Sequence, residues 1–245
     1  MSSVQDKQAE ILHNRRIFDK AEVFWSWGGS VAGEKRGQRR IDSYLAYLEP
    51  RRGKHFLEYG CGMGWFTQKM GSNGVRITAF DIQREFVDVA RGRAAQPDTS
   101  FLVTDSEFLP FQADTFDGIY GTSILHHIPM RTTLSEMRRV LKPGGKIIFS
   151  EPNMLNPQIM VMKNVRWIGK RMGESPNETA FFKWEIQKLF RENGFQNVCV
   201  RPYDFMHPNI PQRLIGHIES LGKFLEKIPL VREIGGSLDI RAVKF

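Results

Sequence analysis

Cysteine is nearly absent from this chain of 245 residues, which has only Cys61 and Cys199. Two cysteines without metal-ligand spacing exclude a disulfide-stapled secreted scaffold and a cysteine-based metal module. No eighteen apolar residues run together, so no segment qualifies as a membrane-spanning helix. The opening MSSVQDKQAEILHNRR lacks an apolar stretch of signal-peptide length, and a soluble cytoplasmic protein in a reducing compartment is expected. Asn177-Glu178-Thr179 fits the glycosylation pattern, yet such triplets arise often by chance. Internal repeats and low-complexity tracts are also missing.

Charge of one sign is not concentrated anywhere. Lysine and arginine number 35 against 27 acids, a net +8. Counted in blocks of fifty residues, the basic excess never rises above +3, which describes a solvated basic surface rather than a dedicated polyanion-binding arm. With 41% apolar residues, one large core and a single domain are expected.

What is present is an alternation of strands and helices. Ile41, Tyr44, Leu45 and Leu48 share one helical face that ends at Pro50. Strand patterns follow at His55 to Tyr59, Arg76 to Phe80, Ser100 to Thr104, Phe116 to Gly121 and Lys146 to Ser150. Helical segments lie between them, at Trp65 to Met70, Arg84 to Arg93 and Thr133 to Leu141. Thr133 with Glu136 reads as a capping box, and Lys142-Pro143-Gly144-Gly145 as the stop. Such alternation implies a parallel sheet with helices on both faces.

Beyond residue 152 the pattern changes. Asn153 to Gly173 holds no acid but has Lys163, Arg166, Lys170 and Arg171 among apolar residues, as in a basic amphipathic helix. Trp184 to Asn193 reads as a helix closed by Gly194, and a strand is expected around Val198 to Arg201. Leu214, Ile218, Leu221, Leu225 and Ile228 form another helical stripe, and SLDIRAVKF reads as a final strand. The expected divisions are a helical cap (1–50), a cofactor-binding core (51–152), a basic insertion or lid (153–180) and C-terminal helices and strands (181–245).

The stretch HFLEYGCGMGWF runs from the first strand into a glycine-rich turn, which suits either a close backbone approach to a ligand or a tight structural turn. A dinucleotide fingerprint needs a small residue at position 65, where this chain has tryptophan. Read as Glu58-x-Gly60-x-Gly62-x-Gly64, the stretch has no defect. It resembles the first motif of class I S-adenosylmethionine-dependent methyltransferases. FDGIYGTSILHHIP and RRVLKPGGKIIFSEPN resemble later motifs of their type 11 branch, which includes proteins similar to ubiquinone and menaquinone methyltransferases. The resemblance runs from about Gly53 to Asn153. It implies a doubly wound, Rossmann-like α/β fold, with a seven-stranded, mostly parallel sheet, a final antiparallel strand and helices on both faces.

The same resemblance implies S-adenosylmethionine as cofactor and no metal. The backbone through Gly60, Cys61 and Gly62 would contact its methionyl part, with Glu58 near the ammonium. Asp81, ending the second strand, is placed to accept both ribose hydroxyls. Asp105 would lie near the adenine amino group and the backbone of Ser106 near its ring, with Ile82 and Thr122 completing the set. An aspartate at position 105 equally suits a turn cap.

Methyl transfer is an in-line displacement, so orientation is the main contribution and a base is needed only for a protonated acceptor. His127 and His126, past the fourth strand, are the candidates for that base, His127 ahead, with His207 a third. Either histidine of the pair equally suits packing or a cap. Phe24, Trp25 and Trp27 are placed for a lid or for ordinary packing. The expected partner is a small-molecule acceptor, most readily methylated at oxygen, with nitrogen and carbon as alternatives. The basic insertion admits a solvated face, an anionic acceptor or a peripheral membrane contact. RNA methylation is a competing reading, disfavoured by GTSILHH where an Asn-Pro-Pro-Tyr type motif would stand. A non-catalytic cofactor-binding scaffold is a third.

Overall fold

In the computed structural model, residues 29–72, 74–165 and 179–245 are described, together with positions 8, 11, 12, 15, 27, 167 and 169. The strands are β1 (His55–Tyr59), β2 (Arg76–Asp81), β3 (Thr99–Val103), β4 (Phe116–Thr122), β5 (Leu141–Pro152), β6 (Phe195–Tyr203) and β7 (Ser237–Lys244). The helices are α1 (Val31–Leu48), α2 (Trp65–Gly71), α3 (Arg84–Arg93), α4 (Met130–Val140), α5 (Pro157–Asn164), α6 (Lys183–Glu192), α7 (Ile215–Leu225) and the one-turn α8 (Pro229–Arg232).

These strands make one seven-stranded sheet in the order β3-β2-β1-β4-β5-β7-β6. Pairing is parallel from β3 to β5, and β7 runs antiparallel to both β5 and β6. The expected doubly wound sheet is therefore what forms. Successive strand residues point to opposite faces, so each strand feeds two cores. Leu57, Ile147 and Phe149 join α4 and α6 on one side; Phe56, Ile77, Ala79 and Ile148 join α1, α2 and α3 on the other. Burying each such side chain contributes roughly 1.5 to 3 kcal/mol, which is why the strands read as nearly continuous apolar runs. The chain winds outward from β1 to β3 and returns to β4 on the far side of β1. That reversal opens a crevice at the carboxyl ends of β1 and β4.

Helix α1 begins earlier than its apolar stripe suggests, because the Ser30 hydroxyl accepts the Gly33 amide and caps it. It crosses the sheet and is held there by a buried charge cluster. The Arg40 guanidinium donates to Ser150 Oγ (3.1 Å), Asp204 Oδ2 (3.0 Å), Ser237 Oγ (2.8 Å) and the Arg36 carbonyl (2.9 Å). Arg36 Nε donates to the same Asp204 oxygen at 2.9 Å. Arg39, one residue before Arg40, pairs in bidentate fashion with Glu226. Trp27 lies edge-on to Phe66 with ring centroids 5.3 Å apart and under the guanidiniums of Arg36 and Arg40, so it serves packing. Phe24, Trp25, Arg166, Lys170, Arg171 and Asn177 lie outside the described residues.

Two local expectations are corrected. Helix α4 starts at Met130 after Pro129, so Thr133 is not its cap. Thr133 is buried with its hydroxyl 3.3 Å from Ser106, and Glu136 pairs with Arg139 instead of closing a capping box. Lys142-Pro143-Gly144-Gly145 does end that helix, but it is drawn into β5 as an irregularity opposite β4.

Burial pushes the Asp204 carboxyl up, and Arg36 with Arg40 more than reverse this, holding it below the ordinary aspartate range. Its contribution to stability is present above the unfolded value and is lost as pH falls through the lower folded one. Asp204→Ala, which leaves two guanidiniums without their shared carboxylate, should lose about 3 to 5 kcal/mol in urea unfolding at neutral pH. A loss below about 1 kcal/mol would show that the cluster does not hold α1.

Candidate functional site

Between β1 and α2 the chain makes its tightest turn, with φ of +64° at Gly60, +49° at Gly62 and +82° at Gly64. At Gly64 the left-handed backbone is joined by a steric demand, since a Cβ there would lie 2.9 Å from the Cα of Ala90 in α3. Close helix packing thus falls on Gly64, and Trp65 is free to be large. Its ring instead packs under Gly37 of α1, where a Cβ would approach it to 2.5 Å.

Asp81, at the tip of β2, fixes this turn. Its Oδ2 accepts the Gly62 amide at 3.0 Å and its Oδ1 the Gln83 amide at 2.9 Å. Each carboxylate oxygen has capacity for a further hydrogen bond. Burial raises the Asp81 pKa against the pull of the Gln83, Gly62 and Ile82 amides. The Cys61 amide donates to the Phe80 carbonyl at 2.9 Å, a second tie between the β1 and β2 loops, and the Cys61 thiol is buried. Glu58 sits beneath the turn and its Oε2 accepts the Tyr120 hydroxyl at 2.8 Å. Burial lifts its carboxyl to about 7, although the Thr67 and Tyr120 hydroxyls pull the other way.

Past β4 the loop is organised by a residue that sequence reasoning did not single out. The buried Glu151 at the end of β5 accepts the amides of Ile124 and Leu125 on Oε1, each at 2.9 Å, and meets His126 Nδ1 on Oε2 at 2.6 Å. His126 is thereby buried, and its ring lies 4.1 Å from that of the half-buried His127. A Cβ at Gly60 would come within 2.6 Å of the Ile124 side chain, so the β4 loop that carries the histidine pair lies against the glycine turn. His207 is separate. It lies in the loop after β6, its Nδ1 accepting the Asn209 amide at 3.1 Å and its Nε2 3.1 Å from Gln158 Nε2, so both ring nitrogens have partners within the protein.

The remaining expected site residues are less exclusively directed at a ligand. Asp105 Oδ1 accepts the Glu107 amide at 3.1 Å, the turn cap that its residue type favours. Ser106 is buried with its hydroxyl toward Thr133, leaving its backbone as the group for recognition. The Tyr44 hydroxyl donates to the Gly121 carbonyl at 2.8 Å and meets Thr122 Oγ1 at 2.7 Å, so the Thr122 hydroxyl is engaged with α1. Ile82 is half-buried between Asp81 and α3.

The model of a family described as a methyltransferase domain matches residues 57–149, from within β1 through β5 to Phe149. The chain carries a class I S-adenosylmethionine-dependent methyltransferase domain of the type 11 branch. A ubiquinone biosynthesis O-methyltransferase of Coxiella burnetii is 32% identical over 145 residues, which are 56% of this chain and 60% of that protein. The chain therefore spans about three fifths of the first curated relatives that it matches. A demethylmenaquinone methyltransferase of Anoxybacillus flavithermus is 26% identical over 226 residues, 82% of this chain and 94% of that one. In fold, an S-adenosylmethionine-dependent methyltransferase from Thermotoga maritima aligns with a TM-score of 0.67 at 18% identity, covering 95% of this chain and 98% of its own.

The donor set of this methyltransferase domain suits its family's cofactor. The buried Glu58 and the partly buried Asp81 flank the glycine turn, which fits a ligand that presents a cationic group and a diol to carboxylates. Glu58 without a cation beside it has a measurable signature. Between the unfolded carboxyl value of 4.5 and the folded value of about 7, the native state keeps a proton that the unfolded chain has released. Stability is therefore lost as pH rises through that window. Without ligand, Glu58→Gln should match wild type near pH 5 and exceed it by about 3 kcal/mol near pH 8 in urea unfolding. A difference that stays constant with pH would show that Glu58 ionises at its ordinary value.

Proposed function

We propose that this chain transfers the methyl group of S-adenosylmethionine to a hydroxyl of a small-molecule acceptor. The observation that supports the reading is that the β4 loop, whose histidine pair is held by Glu151, packs through Ile124 against the glycine turn latched by Asp81. Oxygen as the acceptor atom is supported by relatives whose names specify O-methylation. The cofactor, when bound, supplies an electrophilic methyl on its sulfonium.

The chain's own residues then have separable tasks. The glycine turn lets the cofactor approach its backbone, Glu58 faces the ammonium, and Asp81, whose Oδ2 holds the Gly62 amide, uses its remaining acceptor capacity for the ribose hydroxyls. Asp105 and the Ser106 backbone flank the adenine. The acceptor enters from the other side of the crevice, bounded by the β4 loop, the segment after β5 and the loop after β6. Holding its oxygen in line with the methyl contributes roughly 7 to 11 kcal/mol through orientation alone. His127 removes the hydroxyl proton, and His126 positions it through ring contact, itself fixed by Glu151.

A screen of phenolic and catecholic acceptors with methyl-labelled cofactor tests the reaction class. Transfer to oxygen is expected, and label that reaches only nitrogen or carbon compounds would overturn it. Asp81→Ala should weaken binding of the demethylated cofactor at least a hundredfold, because two hydrogen bonds to a charged acceptor contribute about 1.5 to 3 kcal/mol each. Calorimetry on a folded variant with unchanged affinity would remove Asp81 from the site.

His127→Ala should lower single-turnover rates by about a hundredfold to ten-thousandfold with cofactor affinity retained. In wild type the rate should rise with pH as the base loses its proton, and the variant should lack that rise. A rise that survives the substitution would assign the proton transfer elsewhere.

A further inference from the structure

Helix α7 buries only part of its apolar surface. Of the stripe of Leu214, Ile218, Leu221, Leu225 and Ile228, the residues Ile218, Leu225 and Ile228 are half-buried, and the fully buried positions in and just past α7 are Ile215, Gly222 and Glu226. Charge shares the inner face. Glu219 is held by Lys35 at 2.9 Å and Glu226 by Arg39 at 2.7 Å, both from α1, so the two acids face inward. Leu214 and Leu221 of the stripe and the neighbouring Phe224 are left outside, Leu221 54% and Phe224 59% exposed. Leu230, at the tip of α8 just beyond Pro229, is 86% exposed, and Ile234 beside it is also exposed.

The surroundings of this patch select its occupant. Arg213, Lys223 and Lys227 are exposed and lie on the helix sector next to the apolar one. Lys223 reaches Glu219 at 2.7 Å and still keeps more than half of its side chain in solvent. The third acid of this region, Glu233, is taken by Lys183 at 2.6 Å. The outward surface thus consists of apolar side chains bordered by cations, with its acids paired toward the body of the protein. A protein partner would need a matching concavity for the projecting Leu230, whereas an acyl layer accommodates a projection of any outline. Apolar groups that enter the interface, with lysine and arginine at headgroup level, are the pattern of peripheral membrane binding.

We propose that the outward face of α7 together with α8 docks on an anionic lipid membrane. The inference goes beyond methyl transfer and does not depend on it. Its location gives it a consequence for the site, since Asn153 donates to the carbonyls of Glu233 (2.8 Å) and Gly235 (2.7 Å) and Asn156 to that of Ile234 (2.8 Å). The docking surface is therefore joined to the segment after β5 that borders the acceptor side.

Vesicle co-sedimentation of the full chain, without cofactor, tests this. Binding to vesicles containing phosphatidylglycerol should exceed binding to phosphatidylcholine alone by at least about tenfold and should weaken as salt is added. The combined substitution Leu221→Ser, Phe224→Ser and Leu230→Ser should reduce the partition coefficient at least about tenfold with an unchanged circular dichroism spectrum. Lys227→Glu should weaken binding to the anionic vesicles only. A single-site variant, Phe224→Trp, supplies a readout that does not rely on loss: its emission should shift to the blue when anionic vesicles are added. Absence of binding by the wild type, equal binding by the triple variant, or an emission insensitive to lipid would overturn the proposal. So would sedimentation equilibrium showing a dimer that the triple substitution dissociates, since the face would then belong to a second copy.

Discussion

The loops at the carboxyl edge of this sheet must leave the strand ladder, reverse direction and still satisfy their buried amides without water. Borrowed carboxylates meet that requirement. Asp81, at the end of β2, accepts Gly62 of the β1 loop; Glu151, at the end of β5, accepts Ile124 and Leu125 of the β4 loop; Glu226 accepts the amide of Asp204 just past β6. Each acid stabilises a loop that is its neighbour in space, not in sequence. An unmatched buried amide costs about 1 to 3 kcal/mol, so these three carboxylates largely determine where the edge loops rest. The same acids shape the electrostatics of the crevice, which is consequently lined by carboxylates at its cofactor end and by a carboxylate-held imidazole at its acceptor end.

Helix α1 extends this logic across the sheet. Three of its arginines meet two carboxylates, and Tyr44, one turn after Arg40, bonds the Gly121 carbonyl at the end of β4. One helix therefore touches the end of β4, Ser150 near the end of β5 and the segment just past β6, three of the strands whose loops enclose the acceptor side. A movement of α1 would be felt at each, which makes the acceptor side a single mechanical unit and not a set of independent loops.

Much of this was legible in the sequence, and what was not has a common cause. The glycine turn, Asp81 and the histidine pair stand beside strand ends that hydrophobic periodicity locates within a residue or two. Glu151 lies within RRVLKPGGKIIFSEPN, but nothing local marks its role, because its partners are about 25 residues away in the chain. Asp204 and Arg40 are separated by 164 positions and read individually as surface charges. Thr133 shows the opposite error. A local pattern, Thr followed three residues later by Glu, was complete, but Pro129 had already started the helix and tertiary contacts claimed both side chains. The α7 stripe is half-buried at Ile218, Leu225 and Ile228 and exposed at Leu214 and Leu221, because ion pairs of Glu219 and Glu226 with a helix far upstream share its inner face.

The position of β7 has a consequence for how the chain is made. This strand leaves the ribosome after all the others in the sheet, yet it sits between β5 and β6. Until it arrives, β6 has no strand beside it and the parallel portion, β3 through β5, ends in an open edge at β5. That edge can recruit a strand from another molecule during synthesis, and the interval is as long as translation of the stretch from Pro152 to Ser237. Sheet closure therefore waits for the last of its seven strands, and a product stalled or shortened before β7 would expose both β5 and β6 to misassembly.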